Sequence, residues 1–111
     1  MIFELASMTG KFRIKFTQAA RVDFKEMRRY GFERYGREVA DRYVDDIEGV
    51  FRLLKEQLRA GQARSELSPE VRCFSKKLHR VFYRAEADTV TIVRVIHRAM
   101  DVRRALKRAA G

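Results

Sequence analysis

The chain has 111 residues, with 25 Lys and Arg against 15 Asp and Glu, for a net charge of +10. That length supports one compact domain rather than two, and 46% hydrophobic residues is too apolar for a disordered basic tail. One cysteine, Cys73, excludes an intrachain disulfide, and no apolar run reaches the ~18 residues that would span a bilayer; the sequence reads as a soluble, cytoplasmic domain whose field attracts anionic partners.

Residues 1–11 lack the charged flank and long apolar core of a secretory signal. They read as an N-terminal extension to a single domain over 12–111, with Met8 as an alternative start. "KFRIKF" alternates charged and apolar side chains, placing Phe12, Ile14 and Phe16 on one face of a strand. Thr17 offers an N-cap hydroxyl, after which Ala20, Phe24 and Met27 share a helical face, predicting a helix from Gln18 to about Tyr35. Gly36 turns the chain into a second helix, marked by Val39, Tyr43, Ile47, Val50, Phe51, Leu54 and Leu58. "RAGQARSELSPE" is a loop by composition. "VRCFSK", "LHRVFYRA" and "TVTIVRVIH" read as strands, with "EAD" as a tight connection between the last two, and Asp101 caps a short helix through "VRRALKRAA". The fold class is therefore two-layer α+β: an N-terminal strand, an α-helical hairpin, a three-stranded antiparallel C-terminal sheet and a short terminal helix that Met100 and Leu106 can pack against the sheet. A helical hairpin with an apolar stripe must bury it on such a sheet.

Two histidines and one cysteine offer little for nucleophilic catalysis, and Cys73 and His79 lack the paired spacing of a zinc site. Cys73 reads as a small buried side chain and His79 as a strand residue with a local hydrogen bond. No metal, cofactor or catalytic residue is expected. Lys76, Lys77, Arg80, Tyr83, Arg84, Arg94, His97 and Arg98 are different, because they crowd onto three neighbouring strands. A sheet face of that kind can hold phosphate and stack bases, while the plainer reading leaves alternate strand residues facing water. Metal-free cleavage of RNA would need a base, a proton donor and cations, and only His79 and His97 titrate near neutrality. Lys107 and Arg108 suit the negative end of the terminal helix, whereas Arg103 and Arg104 in its first turn have no such role.

Taken in order, "FTQAARVDFKEM", "RYGREVADRYVDDIEGVFRLL", "HRVFYRAEADTVTIVRVIHRAMD" and "RRAL" resemble the ParE branch of the ParE/RelE toxin superfamily, from residue 12 to about 106. The resemblance implies a toxin of a type II toxin–antitoxin system, associated with plasmid stabilisation. It also implies a ParD-like antitoxin that wraps around the chain, and DNA gyrase as the poisoned target, with nucleic acid reached only through gyrase. RelE-type relatives instead cleave messenger RNA on the ribosome, using cations on the middle strands and a basic or aromatic residue near the end of the last one. Arg80 matches one of those cations, but "HRAMDVRRAL" supplies no tyrosine after Tyr83, so the nuclease is the alternative. On this reading His97, Arg98, Arg103 and Arg104 contact the target. Phe24, Met27, Arg28, Tyr35, Arg80 and Arg84 are the candidates for antitoxin contact, with the hairpin core as the other role for Phe24 and Met27.

Overall fold

A computed structural model describes residues 12–109; the extension over residues 1–11 and the question of a start at Met8 lie outside the described residues. The elements are β1 (Arg13–Phe16), α1 (Gln18–Tyr35), α2 (Arg37–Glu56), β2 (Gln62–Ala63), β3 (Val71–Lys76), β4 (His79–Glu86), β5 (Thr89–His97) and α3 (Val102–Ala109). Thr17 does two jobs at the first junction. Its hydroxyl oxygen accepts the Ala20 N–H at 3.0 Å, capping α1, and its proton goes to the Val93 carbonyl at 2.7 Å. Gly36 takes φ +87, a conformation open to glycine, and so α1 stops and α2 starts with one residue between them.

The strands form one sheet in the order β1-β5-β4-β3-β2, with β1 parallel to β5 and the other pairs antiparallel. The N-terminal strand and the three C-terminal strands make four, and a fifth is added because two residues of the presumed loop, Gln62 and Ala63, pair with Cys73 and Arg72. Tyr83 fixes that loop: its hydroxyl donates to the Leu58 carbonyl at 2.7 Å and accepts the Gly61 N–H at 2.9 Å. A Cβ on Gly61 would lie 2.7 Å from the Tyr83 ring, so only glycine permits the approach.

The hairpin covers one face. Its core joins Phe24 and Met27 of α1 and Val44, Ile47, Val50, Phe51 and Leu54 of α2 to Ile14, Val81, Tyr83, Val90, Ile92 and Val95 of the sheet. Phe51 sits at the centre, meeting Phe16 edge-on at 5.1 Å and Phe24 at 5.8 Å between ring centroids. The stripe on α2 is Ala40-Val44-Ile47-Phe51-Leu54, which rotates Val39 out of the core to 42% exposure. Leu58 lies beyond the end of α2 and still packs on the core. A second, smaller cluster covers the other face, where Val102, Ala105 and Leu106 of α3, with Leu67, meet Val71, Cys73, Phe82 and Ile96. Leu106 anchors the terminal helix as anticipated, but Met100 does not; it is 49% exposed. Cys73 is buried and Asp101 accepts the Arg104 N–H at 3.2 Å, closing the first turn of α3.

An irregularity in β5 sets where its side chains go. Phe82 pairs with Arg94 and Tyr83 with Ile92, so Val93 is an extra residue opposite the β4 backbone. Before it Val90 and Ile92 face the hairpin; after it Val95 does, joined in register by His97. Without the bulge Arg94 would point into the hairpin core.

Candidate functional site

β1 pairs only with Thr89–Ile92, so the rest of β5 has no strand on that side. Side chains of α1 take over there. Asp23 Oδ2 accepts the Val95 N–H at 3.0 Å, and both Asp23 oxygens accept from the Arg94 guanidinium at 2.6 Å. Arg94 Nη1 also donates to the Ala105 carbonyl of α3 at 2.8 Å. Both side chains are 11% exposed, and the carboxylate raises the pKa of Arg94 further above its ordinary value. Arg94, grouped by sequence with the phosphate-holding cations, instead ties α1, β5 and α3 together. Tyr83, grouped with the stacking aromatics, is wholly buried, and Lys77 is engaged by Asp46 at 2.7 Å. The basic residues of the three strands do not share one face, because strand alternation sends them to opposite sides.

Next to the Asp23 end of β5 lies a groove of about 640 Å³ between the hairpin, the turn at Lys77 and Leu78, and the end of β5. Met27 lies on its lining, and the exposed side chains of Tyr30, Tyr35, Val39, Leu78 and Met100 form its rim. Inside it stand Tyr43, His79 and His97. His79 and His97 are directly opposite in register, their rings edge-to-face at 5.6 Å. Tyr43 Oη accepts the Leu78 N–H at 3.2 Å and lies 2.7 Å from His79 Nδ1, so the partner expected to be local comes from α2. Burial, and then the neighbouring His97, push the His79 pKa down to about 4, leaving the ring neutral at pH 7. His97 Nδ1 accepts the Ala99 N–H at 3.1 Å, which puts the proton of a neutral ring on Nε2. In that arrangement the Nε2–H of His97, a groove-lining residue, is a donor, and its basic nitrogen is occupied by backbone. Among the described residues no group of three or more His, Cys, Asp and Glu could hold a metal ion, and no helix is long and apolar enough to cross a membrane.

The ten residues singled out by sequence are scattered over the molecule. His97 and Arg98 are exposed at the end of β5, and Arg103 and Arg104 are exposed on α3. Phe24 is in the core and Met27 between core and groove, with Tyr35 on the groove rim. Arg28 lies apart, in a shallow cleft on the outer side of the hairpin with Lys25, Phe32 and Arg37. Arg80 and Arg84 flank Phe82 on β4, on the face that α3 covers. Sequence reasoning missed Val39, Leu78 and Met100 as a surface set, and placed Tyr43 in the core. Leu78 reaches that surface from the β3–β4 turn, where Lys77 takes φ 53.

Residues 14–102 match the model of the ParE toxin of type II toxin–antitoxin systems, parDE. The chain belongs to the ParE toxin family. Toxin ParE1 of Mycobacterium tuberculosis is 30% identical over 95 residues, covering 85% of this chain and 97% of the relative. Toxin ParE3 of Caulobacter vibrioides is 37% identical over 70 residues, 63% of this chain and 70% of the relative. In structure, a chain of the chromosomal ParDE TA system from P. aeruginosa matches 80% of this chain and 98% of its own length at a TM-score of 0.67, and at 21% identity shares the fold. A chain of the toxin–antitoxin complex RelBE2 from Mycobacterium tuberculosis matches 83% and 97% at a TM-score of 0.55 and 27% identity.

Proposed function

We propose that this ParE-type toxin arrests growth by poisoning DNA gyrase through the stretch from His97 to Leu106, and that a cognate ParD-like antitoxin is seated in the apolar groove. The observation that carries the reading is that the apolar groove and the exposed arginines Arg98, Arg103 and Arg104 are different surfaces, which meet at His97 and Met100 on the groove edge. A peptide that folds on binding needs apolar anchors to offset its ordering, and the groove offers Met27, Tyr35, Val39 and Leu78 with the His97 Nε2–H as a polar contact. Phe24 drops out of the docking set because its side chain is spent in the core, and an antitoxin confined to the groove does not reach Arg80 or Arg84 on the opposite face. The target stretch, by contrast, exposes Arg98, Arg103 and Arg104 without acid partners at ion-pair distance among the described residues. Induction of the toxin should produce growth arrest with gyrase-linked DNA breaks; arrest without such breaks refutes the target.

The likeness to a RelBE2 chain and the paired histidines favour one other reading, a ribosome-dependent messenger-RNA endonuclease. Primer extension on messenger RNA after induction separates the two. Discrete cuts that disappear in His97→Ala would establish the nuclease.

A further inference from the structure

The face opposite the hairpin carries its charge in an unusual form. Arg80 and Arg84 flank Phe82 on β4, and Arg64 lies over the Phe82 ring with its Cζ 5.8 Å from the centroid. Cys73, paired with Phe82, lies in the field of both Arg64 and Arg80. Glu66 accepts from Arg64 at 2.6 Å, and α3, which carries Arg103, packs over Phe82 and Ile96 on the face that Arg80 shares, so Arg64, Arg80 and Arg103 lie on one side of the sheet. Arg104 and Lys107 extend this set along the exposed side of α3. The acids within it are committed: Glu66 to Arg64, Glu86 to Arg84 at 3.6 Å, and Asp101 to the first turn of α3. Arg80, Arg103, Arg104 and Lys107 make no side-chain ion pair or hydrogen bond among the described residues.

Three features select the partner. The apolar residues of the sheet on this face, Val71, Cys73, Phe82 and Ile96, are covered by α3 and Leu67, so among the described residues none of them is left as an exposed anchor for a folding peptide. Phe82 is buried beneath Arg64, so it offers no open aromatic platform on which unpaired bases could stack. What remains is mostly arginine, whose planar fork suits phosphate.

We infer that this face binds the phosphate backbone of duplex DNA directly and without sequence preference, through Arg80, Arg103, Arg104 and Lys107. The inference deepens the gyrase reading and rests on it for the choice of DNA, since gyrase works on a duplex. It assigns the toxin a nucleic-acid contact of its own within the target complex, where the sequence alone suggested contact only through gyrase.

The test is fluorescence anisotropy with the full chain and a labelled 30-base-pair DNA duplex, without gyrase, over a salt series. Each neutralised phosphate contributes about −0.9 to the slope of log affinity against log salt, so Arg80→Ala/Arg103→Ala/Arg104→Ala should flatten the slope by roughly 2.7. Lys25→Ala/Arg42→Ala/Arg52→Ala removes the same charge from the hairpin side and should flatten it by less than about 1. Equal losses in the two folded triple variants would mean diffuse attraction by net charge and overturn the inference. So would tighter binding of a single strand or duplex RNA than of duplex DNA, or displacement of DNA by polyglutamate at equal charge, which would make the face a site for acidic protein. Gyrase-linked breakage in cells is read separately: DNA binding without breaks refutes the target while leaving the surface, and breaks without DNA binding do the reverse.

Discussion

On the hairpin side of the sheet, the two Lys and Arg side chains that line the groove are both matched. Arg29 bridges Glu26 and Glu33, Lys77 reaches Asp46, and much of what is left open around the groove is apolar: Tyr30, Tyr35, Val39 and Leu78. On the α3 side the apolar residues of the sheet are covered, and beside the paired Arg64, Arg84 and Arg94 stand Arg80, Arg103, Arg104 and Lys107, which make no ion pair among the described residues. The contrast teaches that one small sheet presents two different chemistries. Its groove side suits a partner that contributes apolar area; its α3 side suits one that contributes charge and would relieve a repulsion that folding tolerates. The Asp23–Arg94 pair lies at the boundary, with Asp23 lining the groove and Arg94 holding α3.

The sharpest way to break the comparison is to break that pair. Arg94→Ala leaves a buried carboxylate without its guanidinium and should cost about 3–5 kcal/mol of stability, measured by urea unfolding. Arg94→Lys keeps the charge but cannot hold Asp23 and the Ala105 carbonyl in the same geometry. It should therefore retain the hairpin core while exposing the bonds after Arg103 and Arg104 to limited trypsin cleavage. Resistance of α3 in the lysine variant would show that Arg94 does not position it.

A smaller effect should come from pH. His79 is neutral in the folded chain down to about 4, while in the unfolded chain it takes a proton near 6.5. Above 6.5 neither state is protonated and its contribution is constant. Between about 6.5 and about 4 the unfolded chain gains the proton and the folded chain does not, so stability falls as pH falls, by at most on the order of 3 kcal/mol. His97, Tyr43 and Asp23 surround or act on the ring, and the neighbouring His97 charge adds to the penalty whereas Asp23 opposes it. His79→Phe should flatten this part of the pH–stability curve; an unchanged slope would assign it to other groups.

Much of the fold was legible because local chemistry and global packing agree. The Thr17 cap, the Gly36 break and the period-two run of β1 each mark their own boundary. The site was less legible for equally physical reasons. An alternating reading of "TVTIVRVIH" places Arg94 with Val90 and Ile92, and only the extra residue at Val93 moves it to the other side. Its carboxylate partner lies 71 positions away on α1, where no sequence spacing can reveal it. Tyr43 falls on the apolar period of α2, and its tie to His79 depends on how α2 crosses the β3–β4 turn. The two residues of β2 pair only because Tyr83 holds Gly61 close.

The smallest effect concerns stability on the α3 side. Arg98→Ala, Arg103→Ala and Arg104→Ala should each change it by less than about 0.5 kcal/mol, since none makes a side-chain bond that folding needs. A thermal melt of the triple variant that matched the unchanged protein would leave toxicity free to report on function alone; a collapse would place these arginines in the fold.

The most direct measurement is growth after induction, with and without co-expression of the cognate antitoxin, for two folded variants side by side. Tyr35→Arg/Val39→Arg alters the groove, and Arg98→Ala/Arg103→Ala/Arg104→Ala alters the basic segment. The groove variant should arrest growth in both conditions, because it remains toxic and escapes neutralisation. The arginine variant should grow in both, while still binding the antitoxin in a pull-down. If the groove variant is neutralised as well as the unchanged toxin, or the arginine variant is as toxic, the division of labour between the two faces is wrong.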